Sequence, residues 1–403
     1  MSDHRNDPRF REIVRSQLSR RTLLRGAGAT GLAAFLAACG TGDTEDAATN
    51  PSPKVQDKSD TDKVVRWANW PAYLDYDEET KKYPTLEKFQ QASGIKATYA
   101  EDIDGNDTYY AKIQGQLKNG QDFGKDIVVF SDWMAARMIR QGYVQKLDMA
   151  NIPNAKNLAA KYQAAEFDEG RQYSLTWQGG YAGIGYRKDK VGRELKTIED
   201  LWAPDLKGRI VVLDEMRDTV GLLMIAQGAD ISGDFSEDDF MKGLAELEKQ
   251  YDSGQIRQVK GNSYMEDLRS GNAVAAIAWS GDMTLLAYEE EDPNYTFALP
   301  ESGGTLWSDN LMVPIASPHK KNAEKLFDFY YDPAIAAEVA AYVQYICPVE
   351  GAQEEMKKID ETLVESPLIF PTEEDLTKVS IFRTLTPDEE IKYSEEFQKV
   401  IGN

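Results

Sequence analysis

The stretch 126–133, Asp-Ile-Val-Val-Phe-Ser-Asp-Trp (DIVVFSDW), decides how the rest of the chain is read. Its four apolar residues in a row, Ile127 to Phe130, leave no polar face. A strand so short and so uniformly apolar is covered on both sides, as the strands of a parallel sheet are. A polar turn follows, then a helical pattern over 133–141 that stops at Gly142. Outward from there the same alternation recurs. Besides 126–130, strands are expected at 63–69, 96–100, 183–187, 210–213, 274–278 and 311–315. Helices are expected between them at 85–93, 107–118, 219–227, 238–251, 283–290, 321–331 and 333–342, with Asn106 or Asp107 capping the second. The fold class is α/β with open sheets. In such sheets a ligand sits beyond the carboxyl ends of the strands, so function is sought in the turns.

The N-terminus reads as an address. Residues 19–24, SRRTLL, form a twin-arginine pattern, and an uncharged, weakly apolar run over 26–38 leads to Leu36-Ala37-Ala38-Cys39-Gly40. That run is too short to span a bilayer. The order resembles a twin-arginine export signal of a bacterial lipoprotein, cleaved before Cys39 and lipidated on its thiol; the alternative is a plain secretory signal with an incidental cysteine. Residues 1–38 carry seven arginines against three acids, so a formal charge of −22 for all 403 residues becomes −26 without them. So acidic a surface repels nucleic acid and anionic lipid and favours the approach of cations, though solubility alone accounts for much of it. Residues 40–62 have almost no large apolar side chains and read as a disordered tether.

Beyond Cys39 only Cys347 and His319 remain of their kinds. No intramolecular disulfide is therefore possible, and the apolar neighbours of Cys347 predict a buried, unreactive thiol. The commonest general base and zinc ligand is nearly missing, which argues against a secreted Ser-His-Asp hydrolase. No cofactor is expected. Residues 102–107, Asp-Ile-Asp-Gly-Asn-Asp, look calcium-like, but the glycine is misplaced and Ile113 stands where the bidentate glutamate belongs. A capped loop is the simpler reading, and no metal site is expected.

The turns share a bias. Trp70 with Tyr73, Asp132 with Trp133, Asp214-Glu215 with Asp218, Trp279 with Asp282, and Trp307 with Asp309 each put an aromatic, an acid or both beside a strand. Singly, each has a structural explanation as a core ring or a helix cap. Together they describe a site for a cation, because an aromatic face and a carboxylate both attract positive charge and a buried ammonium needs acceptors. Acids at two separated places would read the spacing between two amines.

Five segments in order, RWANWPAYLDYD (66–77), GKDIVVFSDW (124–133), TIEDLWAPDLKGRIVVLDE (197–215), SYMEDLRSGNAVAAIAWSGD (263–282) and GGTLWSDNLMVP (303–314), resemble the spermidine/putrescine-binding proteins of bacterial ABC importers. The resemblance runs from about Val64 to about Pro348. It implies a two-lobed, periplasmic-binding-protein-like clamshell with three hinge crossings, near 179–183, 301–306 and 352–357. The chain then divides into a signal at 1–38, lipidated Cys39 and tether at 39–62, lobe one at 63–180 and 307–354, and lobe two at 181–306 and 355–403. The family's ligand groups fall here on Trp70, Tyr73, Ser131, Asp132, Trp133, Glu215, Asp218, Trp279, Trp307 and Asp309, with Ser263 and Tyr345 as secondary candidates. Asp309 would be the principal ammonium partner.

Pro71 departs from the family's frequent hydroxyl residue and Trp133 from its tyrosine, and Asp132 adds a charge nearby. Arg383 lies where the family supplies a glutamine and, if it faced the cleft, would oppose a long polycation. The implied protein is a monomer held outside the cell by its lipid. It would deliver a polyamine to a membrane permease with a cytoplasmic ATPase, and it would not be an enzyme or a nucleic-acid binder. Same-fold binding of agmatine, a quaternary amine or thiamine, an amine sensor, and a secreted enzyme are the rival readings.

Overall fold

The computed structural model describes residues 55–77, 79–103 and 105–402, with the side chains of all of these except Tyr288 and Glu289. The expected signal, Cys39 and the tether up to residue 54 lie outside the described residues. The strands are β1 (Val64–Asn69), β2 (Lys96–Glu101), β3 (Ile127–Ser131), β4 (Ser174–Arg187), β5 (Ile210–Leu213), β6 (Ile256–Lys260), β7 (Ala275–Trp279), β8 (Tyr295–Ala298), β9 (Gly304–Met312) and β10 (Val379–Ser380). They join in the order β2-β1-β3-β9-β4-β7-β5-β6, with β8 on β4 and β10 on β9. β1 runs parallel to β2 and β3, and β5 runs parallel to β6 and β7. β9 is antiparallel to β3 and β4, and β4 is antiparallel to β7. β3 therefore has a parallel neighbour on one side only, and the sheets are mixed.

Two main cores divide along this path, and a third, around Val128, Phe130 and Met312, adds to the first lobe. One collects apolar side chains between Ala182 and Tyr295 and again from Leu385 to Val400. The other runs from Val65 to Tyr181 and from Leu306 to Ile369. The 14-residue β4 belongs to both, changing core between Tyr181 and Ala182. β9 changes at Thr305–Leu306. This is the α/β clamshell that the resemblance implied.

The third passage lies later than expected. Ala352, Met356, Val364 and Ile369 are all buried in the first lobe, so the chain does not leave near 352–357. It passes through β10, paired to Gly304 and Thr305, before Leu385 enters the second core. The end of the expected tether also differs. Lys58 N donates to Pro318 O at 2.7 Å, Asn322 N to Ser59 Oγ at 3.1 Å, and Ser59 is buried. Residues 55–62 thus lie on the body, fixed by backbone bonds that composition does not reveal.

Three helices frame the cleft: α1 (Asp132–Arg140), α2 (Met216–Ala226) and α3 (Pro387–Ile401). α1 follows β3 directly and buries Met134, Ala135 and Met138 in the first lobe. α2 follows β5 in the second lobe and is buried along most of its length. α3 opens with a Thr386–Glu389 capping box and stacks Tyr393 on Phe240 at 4.0 Å.

Candidate functional site at the lobe junction

β9 organises the site. The strand was expected to start at Leu311; it starts at Gly304 and so takes Trp307 and Asp309 into the sheet. Alternation then puts Thr305, Trp307 and Asp309 on one face, and Ser308 and Asn310 on the other. Asp309 is buried and lies opposite Ser131 of β3. Tyr73 Oη donates to its Oδ2 at 2.7 Å and Ser131 Oγ to its Oδ1 at 2.6 Å. Ser131 is itself held by Asn106, whose Nδ2 donates to Oγ at 3.0 Å while Ser131 N donates to Oδ1 at 3.1 Å. Asn106 therefore does not cap its helix, whose cap is Gly105.

The second lobe brings two more buried acids. Asp218 on α2 accepts from Trp279 Nε1 at 2.7 Å and from Thr305 Oγ1 at 2.6 Å. Asp282 accepts from Asn262 Nδ2 at 3.1 Å and from Tyr345 Oη, of the other lobe, at 3.2 Å. Burial pushes the carboxyls of Asp309 and Asp282 up to about 6, against the pull of their hydroxyl donors. Asp218 is raised for the same reason. Among the described residues none of these three has a Lys, Arg or His within ion-pair distance. Neighbouring charge adds to the strain, since Asp132 and Asp218 both push Asp309 further up.

Aromatic rings fill the space around them. Trp307 and Tyr345 meet edge to face at 5.4 Å, and Tyr345 and Tyr73 at 5.5 Å. Two glycines make room: a Cβ on Gly180 would come within 2.4 Å of the Trp307 ring, and one on Gly281 within 2.4 Å of Tyr345. Trp70 is half-buried, its Nε1 donating to Val129 O at 3.1 Å. Trp279 is half-buried beside Tyr264.

The remaining candidates part company with this cluster. Asp132 bonds Ser308 at 2.8 Å and Asn310 at 2.7 Å, on the face of β9 opposite Asp309, and Arg171 also bonds Asn310 at 2.9 Å. It ties α1 to β9 and offsets a buried arginine. Ser263 is exposed and makes no cap bond; its neighbour Asn262 is the one that reaches Asp282. Trp133 and Glu215 come together, but with Arg217 between them: the guanidinium lies 4.3 Å over the indole, and Nη1 is 3.8 Å from Glu215. Arg383 does not oppose the cleft, for it pairs with Glu389 at 2.7 Å and lies over Phe235. Cys347 is buried, its thiol pushed up to about 12 by burial.

Sequence reading missed Asn106, Asn262, Thr305 and Arg217 as parts of the site; Asp282 it counted among the acidic turns without assigning it a ligand role. Thr305 stood two residues before Trp307, a legible signal once β9 is extended; the others announce nothing locally. Among the described residues no group of three His, Cys, Asp or Glu side chains could hold a metal ion. The arrangement presents buried carboxylates from both lobes, without ion-pair partners among the described residues, between aromatic faces, which is chemistry for a small organic cation.

Residues 85–369 match the family described as bacterial extracellular solute-binding protein. The chain is 24% identical over 344 residues to spermidine/putrescine-binding periplasmic protein 1 of Haemophilus influenzae, covering 85% of this chain and 92% of that one. It is 27% identical over 348 residues to the spermidine/putrescine-binding periplasmic protein of Escherichia coli K12, covering 85% and 89%. Among solved structures, that of a spermidine/putrescine ABC transporter substrate-binding protein from Streptococcus pneumoniae superposes with a TM-score of 0.69 at 23% identity, covering 84% of this chain and 98% of that one. At that identity the last likeness speaks for the fold alone.

Proposed function

This chain belongs to the bacterial extracellular solute-binding proteins, and from that premise we propose that it captures a polyamine outside the cell and delivers it to an ABC permease. The observation that carries the reading is the set Asp309, Asp218 and Asp282: three buried carboxylates, drawn from both lobes, raised by burial and without an ion-pair partner among the described residues, Asp218 alone being partly offset by the Arg217 charge. An unpaired buried carboxylate is costly, so a ligand ammonium that ionises and pairs with it gains that cost back as affinity. Charge-assisted hydrogen bonds contribute roughly 1.5–3 kcal/mol each and an aromatic wall about 0.5–2 kcal/mol per contact. Because the acids come from both lobes, one cation stabilises the state in which the lobes meet, which is how hinge closure is driven. The relatives' names, spermidine/putrescine-binding, agree with this chemistry.

A carboxylate-rich site favours amines that donate N–H bonds. A quaternary ammonium donates none and gains less from Asp309. Calorimetric titration of the purified chain with putrescine, spermidine, agmatine and choline tests the reading. Micromolar or tighter binding of a linear polyamine with choline silent is expected. Binding of choline alone, or of nothing, refutes it.

Location completes the proposal. The export pattern at 19–24 and Cys39 support a lipid anchor on the outer face of the cytoplasmic membrane. No helix among the described residues is long and apolar enough to cross a membrane. Metabolic labelling with a palmitate analogue, lost in Cys39→Ser, is the test; label retained in the variant refutes the anchor. The protein is proposed to act as a monomer, and the family is one of solute binders rather than enzymes.

A further inference from the structure

Asp309 is served by a chain of side chains that begins on another element. Ser131 ends β3 directly opposite Asp309, and its Oγ lies 2.6 Å from Asp309 Oδ1. Behind Ser131 stands Asn106, in the first turn of the helix Asn106–Lys118 and only 6% exposed. Asn106 uses both ends of its amide on this one residue. Ser131 N donates to Oδ1 at 3.1 Å, and Nδ2 donates to Ser131 Oγ at 3.0 Å. The helix has no side-chain cap bond, although an asparagine at a helix start is a good source of one.

The pair of bonds fixes a direction. A backbone N–H can only donate, so the amide atom that faces it is the oxygen, and the atom that faces Ser131 Oγ is the nitrogen. Nδ2 can only donate, so Oγ accepts from it. The hydroxyl has a single proton, and the acceptor left for that proton is Asp309. Without Asn106 the hydroxyl is free to rotate, and Asp309 loses a donor for part of the time. Burial raises the Asp309 carboxyl, Ser131 and Tyr73 hold it down by donating, and Asp132 and Asp218 push it up again. Tyr345 is the other titratable ring within its field.

We propose that Asn106 is a positioning residue for ligand binding: it fixes the Ser131 hydroxyl as a donor to Asp309 and so holds that carboxylate in the ionised form that an ammonium selects. Asn106 acts through Ser131 and not on the ligand. The inference rests on the polyamine reading above.

Calorimetric titration with putrescine at pH 6 and pH 8 tests it, on the wild-type chain, Asn106→Ala, Ser131→Ala and the double variant. Loss of a donor to the charged form raises the carboxyl. From a starting value of about 6, a rise of about one unit leaves about a fifth as much of it ionised at pH 6 and nearly all of it ionised at pH 8. Asn106→Ala is therefore expected to bind about fivefold more weakly than wild type at pH 6 and within about twofold of it at pH 8. The double variant is expected to bind no more weakly than Ser131→Ala alone. A loss equal at both pH values, losses that add in the double variant, or no loss at all overturns the role of Asn106. Asn106→Ser, smaller but still polar, serves if the alanine variant unfolds. A readout free of ligand separates this inference from the polyamine reading. The carbon-13 signal of the Asp309 carboxyl, identified by its absence from Asp309→Asn, is expected to titrate at higher pH in Asn106→Ala than in wild type. If the wild type binds no amine, the polyamine reading falls and this titration alone decides the role of Asn106; an unmoved titration overturns it.

Discussion

Asp309 shows what the site costs the ligand-free protein. Its carboxyl is raised from an ordinary 3.8 to about 6 by burial, with Tyr73 and Ser131 donating to it and Asp132 and Asp218 pushing it further. A raised carboxyl binds its proton more tightly when folded. Its contribution to stability is therefore full below about 4 and is lost as pH rises through about 6. Asp309→Asn removes that loss. Thermal unfolding without ligand is expected to show the variant gaining on the wild type between pH 4 and 7, by on the order of 1–3 kcal/mol. A difference that stays flat across that range refutes the account. Binding runs the opposite way, because an ammonium selects the ionised form. Amine affinity of the wild type should rise through pH 6 with protons released, and Asp309→Asn should bind at least tenfold more weakly, about 1.4 kcal/mol. A substitution that stabilises the fold and weakens the ligand is what a preformed site for a cation predicts.

The element that carries these residues was the hardest to read. Strand 210–213 and helix 333–343 declare themselves by unbroken apolar runs or by proline at the first turn. β9 does not, because Trp-Ser-Asp-Asn lies where it passes between lobes. There its faces meet the cluster of buried acids and rings on one side and Asp132 on the other, so the apolar signal begins only at Leu311. β6 and β8 were missed because they lie at sheet edges and are only partly buried. The shared bias of the aromatic and acidic turns was legible; which of them meet was not, since Asp282 and Tyr345 pair only through the fold. Gly180, inside the crossing expected near 179–183, is buried, directly opposite Trp307 and flat against its ring. Gly180→Ala is expected to displace the indole and lower amine affinity at least tenfold, seen by titration and by a changed near-ultraviolet tryptophan signal; unchanged affinity refutes that role. Gly115 supplies the contrast. It lies exposed inside the helix Asn106–Lys118 with open space beyond it, so Gly115→Ala should stabilise by about 0.5–1 kcal/mol in chemical denaturation and leave binding alone.

At the scale of the whole molecule the lobes are joined by more than hinge strands. Glu390 projects from α3, which is anchored in the second lobe by Tyr393, Phe397 and Val400. Across the cleft α1 offers Arg137 and Arg140, bonded to it at 2.8 and 2.9 Å. Glu390 is 5% exposed, so the cluster exists in this form only while the lobes touch; opening parts Glu390 from Arg137 and Arg140, leaving it beside Arg217 and leaving Arg137 beside Asp107. Hydrogen bonds to charged groups contribute roughly 1.5–3 kcal/mol, enough to set the ligand-free balance between closed and open forms. Glu390→Gln keeps the shape and removes the charge, leaving Arg137 and Arg140 of the first lobe and Arg217 of the second without their shared anion. The open form should then gain at least tenfold in population. Small-angle scattering of the ligand-free variant is expected to give a larger radius of gyration than the wild type, with saturating amine restoring the compact value. Apparent affinity falls by the fraction that remains competent to bind, several-fold or more, while the intrinsic contacts at Asp309 are untouched. Equal radii for the two ligand-free proteins would mean that closure is set at the hinge and by the ligand alone.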